Sequence, residues 1–224
     1  MLTAPARGRF ITLEGGEGAG KSVQARRLAA RLREKGLAVV LTREPGGSPG
    51  AEALREAILS GAAAQFGAEG EALLFSAARI EHVDATIAPA LRRGEWVVCD
   101  RFADSTRAYQ GAAGRLEPEL LAGLERVAVG DWRPDLTLIL DLPAAEGLAR
   151  AARRRGLDEP VDRFESESLA FHETLRQAYL EIARAEPQRC VVIDARPGED
   201  EVAEAIWAAL EERLGDALKG EAAP

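Results

Sequence analysis

The stretch Gly15-Gly16-Glu17-Gly18-Ala19-Gly20-Lys21-Ser22 decides the reading of this chain. Its spacing, G-x-x-x-x-G-K-S, is that of a P-loop. It follows an apolar run, Phe10–Leu13, and precedes a helical pattern from Val23 to about Leu32. A loop of this kind needs small residues because its backbone folds back and aims successive N–H groups at phosphate oxygens. The helix that starts there adds its positive dipole end. On this reading Lys21 reaches the β- and γ-phosphates of a nucleotide, and the Ser22 hydroxyl ligates Mg²⁺. A glycine-rich turn without a ligand is the plain alternative.

Working outward, five short apolar runs stand out: Phe10–Leu13, Ala38–Thr42, Trp96–Cys99, Leu136–Leu142 and Cys190–Ile193. They are continuous rather than alternating, which suits parallel strands covered on both faces. Segments with helical periodicity separate them, so the pattern predicts a doubly wound α/β fold with a five-stranded parallel sheet. The expected organisation is one P-loop domain over residues 1–214, with a frayed tail over 215–224. Residues 44–50, 61–70 and 153–163 read as surface loops.

Bulk properties narrow the function. The 224 residues carry a net charge of −8, which argues against a broad nucleic-acid surface. Apolar residues at 46% and charged residues at 29% are ordinary globular levels, so disorder is not expected. No apolar run approaches membrane-spanning length, and the first nine residues have no signal core. Cys99 and Cys190 lie far apart inside apolar runs, with no C-x-x-C spacing, and read as buried thiols. Together these features predict a cytoplasmic protein with neither a membrane nor a nucleic-acid partner.

Four constellations could carry chemistry. Asp100 follows Val97-Val98-Cys99 at the end of a strand, where a Walker-B-type carboxylate holds Mg²⁺ or its waters. Asp141 is the competing carboxylate, but it lacks a neighbour like Arg101, whose planar fork suits phosphate. A long helix is predicted from about Glu71 to Arg93. Its wheel puts Leu73, Ala77, Ile80, Ile87 and Leu91 on a core stripe, with Phe75, Arg79 and His82 opposite. Phe75 and Arg79 are i, i+4 neighbours and could stack on a base and bond its edge, or else pack under a loop and pair with an acid. His82 reads as a surface or ion-pairing residue. Asp104 to Gly111 places hydroxyls, a phenol and an amide just past Asp100, where a polar ligand could be read, although it also resembles a capped helix start. Arg153-Arg154-Arg155-Gly156 and Arg163 lie in a predicted lid over about 153–165, or in a solvated basic helix end.

Taken together, these segments resemble the bacterial thymidylate kinases over nearly the whole chain. The resemblance rests on Phe10–Gly15 with the P-loop, Thr42-Arg43-Glu44-Pro45-Gly46-Gly47, Leu74–Arg79, Asp100-Arg101-Phe102, Ala108–Gly111, Arg133–Thr137 and Val192–Ala195. It implies transfer of the ATP γ-phosphoryl group to dTMP, with Mg²⁺, in a P-loop kinase fold. It implies that Phe75 stacks on thymine, that Arg79 bonds its exocyclic oxygen, and that Gln110 with Ser105 and Thr106 completes base recognition. Tyr109 is expected beside the deoxyribose, and Arg55 and Arg101 on the dTMP phosphate. Glu44 is expected among the substrate-binding residues. Glu17 stands where some relatives carry Arg, so charge stabilisation would pass to lid arginines, Arg154, Arg155 or Arg163. The resemblance also implies a homodimer. Another P-loop kinase is the nearest rival, and a GTP-binding switch is disfavoured because no N-K-x-D segment is present.

Overall fold

All five apolar runs are strands in the computed structural model, which describes residues 7–154 and 164–220. In chain order, β1 (Phe10–Gly15) leads through the P-loop to α1 (Lys21–Glu34) and β2 (Val39–Arg43). Helix α2 (Pro49–Leu59) and a 3₁₀ segment, Ala62–Phe66, precede α3 (Gly67–His82). A π-helical turn, Val83–Ile87, joins α3 to α4 (Ala88–Arg92), which leads into β3 (Trp96–Asp100). Then come α5 (Ala103–Thr106), a π-helical segment Arg107–Ala113, α6 (Pro118–Val129) and β4 (Leu136–Asp141). The chain closes with α7 (Ala144–Arg154), α8 (Leu169–Ala185), β5 (Cys190–Asp194) and α9 (Glu199–Gly220).

The sheet is wholly parallel in the order β2-β3-β1-β4-β5. Alternate strand residues serve opposite faces, as strand geometry requires. Ile11, Leu13, Trp96, Val98 and Leu138 pack with α1 and α9 on one side. Phe10, Val97 and Cys99 pack with the α3–α4 connection on the other, and Ile139 packs there with α8. Helix α9 packs on one face and runs past residue 215, where the sequence reading begins the frayed tail. It kinks at Leu214, continues to Gly220, and lays Ala217 and Leu218 on the core. Both cysteines are free and buried.

Strand order also places the site. β1 and β3 are neighbours, with Leu13 opposite Asp100 and Arg43 in the same row on β2. The P-loop and Asp100 therefore share one carboxyl edge, the ligand edge of a doubly wound sheet.

Two expectations fail on the far side of this edge. Residues 61–70 are not a loop, since they contain the 3₁₀ segment and the first turn of α3. The predicted core stripe of the long helix is only half right. Ile87 and Leu91 are buried, but Leu73, Ala77 and Ile80 are exposed. The π-helical turn at Val83–Ile87 is the cause. It inserts the equivalent of one residue, roughly a 100° step, so residues before and after it do not share the face a straight helix would give them. Before the turn the buried face holds Ala72, Ser76, Arg79 and His82.

Candidate active site

The P-loop backbone is shaped by positions where only glycine fits. Gly18 has φ +67 and a Cβ there would stand 2.0 Å from the Gly147 carbonyl oxygen. Gly15 has φ +135 with the Leu140 oxygen 2.4 Å from a virtual Cβ. Gly20 caps α1 in a left-handed conformation, with no side chain capping the helix and no acid in its first turn. The orphan N–H groups are thus left open to an anion. Lys21 bends back over this loop and donates from Nζ to the Gly16 carbonyl at 2.7 Å. Burial, and next Arg101, lower its pKa to about 8 against the pull of Glu17, Asp100 and Glu14.

Asp100 and Asp141 part company here. Both oxygens of Asp141 accept from Arg176, at 2.7 and 3.1 Å, so that carboxylate is already committed. Asp100 Oδ2 accepts the Ser22 hydroxyl, while its Oδ1 is buried with no hydrogen-bond partner. An orphaned carboxylate oxygen and a hydroxyl beside an anion cradle fit Mg²⁺, which takes few protein ligands and retains water. No cluster of three or more His, Cys, Asp or Glu that could cage a metal by itself occurs among the described residues.

Arg101 projects from a left-handed turn, φ +70, that costs a non-glycine residue energy and must be held from outside. Glu14 is what holds it. Its Oε1 accepts the Phe102 N–H at 2.7 Å, and its Oε2 accepts the Ser105 and Tyr179 hydroxyls at 2.7 and 3.3 Å. The Arg101 guanidinium then lies 5.3 Å from the Tyr109 ring centre and 3.7 Å from Glu17. Burial opposes ionisation of Glu17, but Lys21, Arg101, the Gly18 N–H and Arg154 together bring its carboxyl down to about 2. Arg154, at the end of α7, reaches Glu17 at 3.4 Å. Arg155 and Arg163 lie outside the described residues.

The same cleft contains Phe75, Arg79, Thr106, Tyr109 and Gln110 along its other wall. Arg79 is 3% exposed and held on three sides. Its Nε donates to Glu44 at 2.8 Å, and its Nη2 donates to the Phe102 carbonyl and the Thr106 hydroxyl, both at 3.1 Å. Its Nη1 makes no hydrogen bond to any described residue, and the side chain lines the cleft. Phe75 is 6.2 Å from Phe164, whose ring meets Tyr109 edge-on at 5.3 Å. Arg55 lines the cleft and donates to the Pro45 carbonyl at 2.6 Å. His82 is not at the surface. It is wholly buried and bonded to Glu44 and Thr42.

The cleft therefore unites a phosphate cradle with a base-sized wall of aromatic and amide groups. Sequence reasoning did not single out Glu14, Tyr179 or Phe164. A charged residue closing the apolar run Phe10–Leu13 was the available signal for Glu14. Nothing in the sequence brings Tyr179, on α8, next to Arg101.

Comparison with known proteins gives the family. The family model described as thymidylate kinase matches residues 13–206. A thymidylate kinase of Bradyrhizobium sp. strain BTAi1 is 58% identical over 218 residues, covering 97% of this chain and 96% of the relative. A thymidylate kinase of Rhodopseudomonas palustris strain CGA009 is 59% identical over 209 residues, covering 93% and 90%. The crystal structure of thymidylate kinase from Ehrlichia chaffeensis superposes with a TM-score of 0.72 at 31% identity, over 91% of this chain and 99% of that one. With the family match running from β1 into α9, and more than half of all aligned positions shared with these bacterial relatives, the chain belongs to the thymidylate kinase family.

Proposed function

We propose that this protein transfers the γ-phosphoryl group of ATP to dTMP, giving dTDP and ADP. The observation that carries the reading is the single cleft joining the P-loop to the Phe75–Arg79–Gln110 wall. The roles follow from chemistry. Lys21 leaves the Gly16 carbonyl for the donor phosphates. Ser22 and Asp100 would hold the Mg²⁺ that accompanies ATP, and the ion would supply positive charge to offset that of the phosphates. Arg101 and Arg55 take the acceptor phosphate, and Arg154 with its lid neighbours Arg155 and Arg163 offsets charge on the transferring group. The acceptor phosphate has a second pKa of about 6 and is largely dianionic at pH 7, so no strong general base is required. The work of the site is alignment of two polyanions and screening of their charge.

Base choice follows from donor and acceptor inventories. Phe75 offers a stacking face. Arginine only donates, so the free edge of Arg79 suits the 4-oxo group of thymine and opposes the 4-amino group of cytosine. Gln110 and Thr106 add donors and acceptors in the same cleft, and Tyr109, also in its lining, takes the role of crowding a 2′-hydroxyl. A coupled ADP-release assay with dTMP, dUMP, AMP, CMP and GMP tests the reading. Fastest turnover is expected with dTMP, and a strong preference for AMP or CMP would refute it.

A homodimer is part of the same reading. Leu73 and Ile80 on α3, and Leu120 and Val127 on α6, are exposed, Leu73 at 56% and Val127 at 74%. Large apolar side chains left open on two packed helices support an interface between copies. Sedimentation should give twice the chain mass, and Ile80→Glu should shift it toward the monomer. Free buried thiols support a reducing, cytoplasmic setting. No helix among the described residues is long and apolar enough to cross a membrane.

A further inference from the structure

His82 follows Arg79 by three residues on α3, so the two side chains share a face. It is the last member of a buried chain of polar contacts. Glu44 divides its carboxylate between them: Oε2 accepts from Arg79 Nε at 2.8 Å, and Oε1 lies 3.1 Å from His82 Nδ1. The other ring nitrogen of His82 lies 2.7 Å from the Thr42 hydroxyl. Gly47 closes over this pair, where a Cβ would stand 2.4 Å from both His82 Nε2 and Thr42 Oγ1. All four polar partners are thus fixed in relation to one another, from β2, the following loop and α3.

The direction of the bonds follows from what each group can do. Glu44 as a carboxylate only accepts, so Nδ1 of His82 must carry the proton that faces it. Without that donor, Oε1 of Glu44 would be buried and unpaired, and Glu44 would be free to turn away from Arg79. Glu44 is the sole carboxylate paired with Arg79 among the described residues, and it grips Nε, the atom that sets the plane of the guanidinium. His82 itself does not line the cleft.

We propose that His82 is a positioning residue for base selection: through Glu44 it fixes the plane of Arg79, and thereby the preference for a 4-oxo over a 4-amino pyrimidine monophosphate. This rests on the proposed meeting of Arg79 with the base. Two polar replacements separate the two nitrogens. His82→Asn can present an amide N–H where Nδ1 stood, whereas His82→Gln reaches toward the Nε2 position and Thr42. Steady-state kinetics with dTMP and dCMP at saturating ATP then read the effect. His82→Gln is expected to raise KM for dTMP and lower the dTMP-over-dCMP ratio of kcat/KM, each by roughly tenfold, leaving KM for ATP unchanged. His82→Asn is expected to stay near wild type. Unchanged dTMP preference in His82→Gln would overturn the proposal. So would parallel losses with dTMP and ATP, or equal effects of Asn and Gln, because a merely structural role gives those patterns. If His82→Gln does not fold, Thr42→Val decides, with a smaller shift in selectivity expected and none overturning the proposal. A wild-type enzyme without dTMP preference would instead refute the substrate reading itself.

Discussion

The two halves of the cleft are built by different means. The donor half is made of backbone from eight consecutive residues. Its glycines adopt conformations other residues resist, and its N–H groups need no distant partner. The acceptor half is made of side chains from α3, β2 and its loop, the end of β3 and the following π-helical segment, each held by another. A backbone site therefore tolerates changes around it and fails when its own residues change. A side-chain site can be retuned from one contact away.

The largest expected effect lies in the donor half. Lys21→Ala should lower kcat by about 10³-fold or more, since a preorganised charge at the phosphates is lost. Circular dichroism should match wild type, and near-normal turnover in the folded variant would remove Lys21 from its assigned role. Asp141→Asn makes the contrast, because Arg176 already occupies that carboxylate, and its kcat should stay within about threefold of wild type.

A smaller, one-sided effect is expected from the acceptor half. Phe75→Ala should raise KM for dTMP roughly tenfold through lost stacking. KM for ATP should not move. Equal changes in both would mean that the two halves are not separable.

How much of this was legible in the sequence follows the same division. The five strands and the P-loop were readable because each is local: a β-branched apolar run or a fixed glycine spacing. The face of α3 was not. Its inward side carries the polar residues Ser76, Arg79 and His82, the last two paired with a buried carboxylate, so apolar periodicity pointed the wrong way. A π-helical turn then shifted the phase, and no sequence rule announces one. Glu14 could be noticed as a charge closing an apolar run, but its role could not be read. Its three donors come from residues 88 to 165 positions away.

The effect of that clamp is on stability rather than turnover, and it is read through pH. Burial, with help from Asp104, raises the Glu14 carboxyl from its ordinary 4.5 to about 7. Between these values the folded chain keeps a proton that the unfolded chain has released. Stability therefore falls as pH rises from about 4.5 to about 7. Glu14→Gln removes this titration, so its unfolding free energy relative to wild type should improve by roughly 1–3 kcal/mol between pH 5 and pH 8. Urea unfolding at the two pH values checks it, and a pH-independent difference would exclude this role.

The division of labour predicts, above all, which product forms when acceptors compete. With ATP limiting, and dTMP, dCMP, AMP and GMP present at equal concentration, chromatography of the diphosphates should show dTDP as the dominant product beside the ADP released by the donor. A mixture dominated by dCDP or GDP, or ADP in twofold excess over the ATP consumed, would contradict the account.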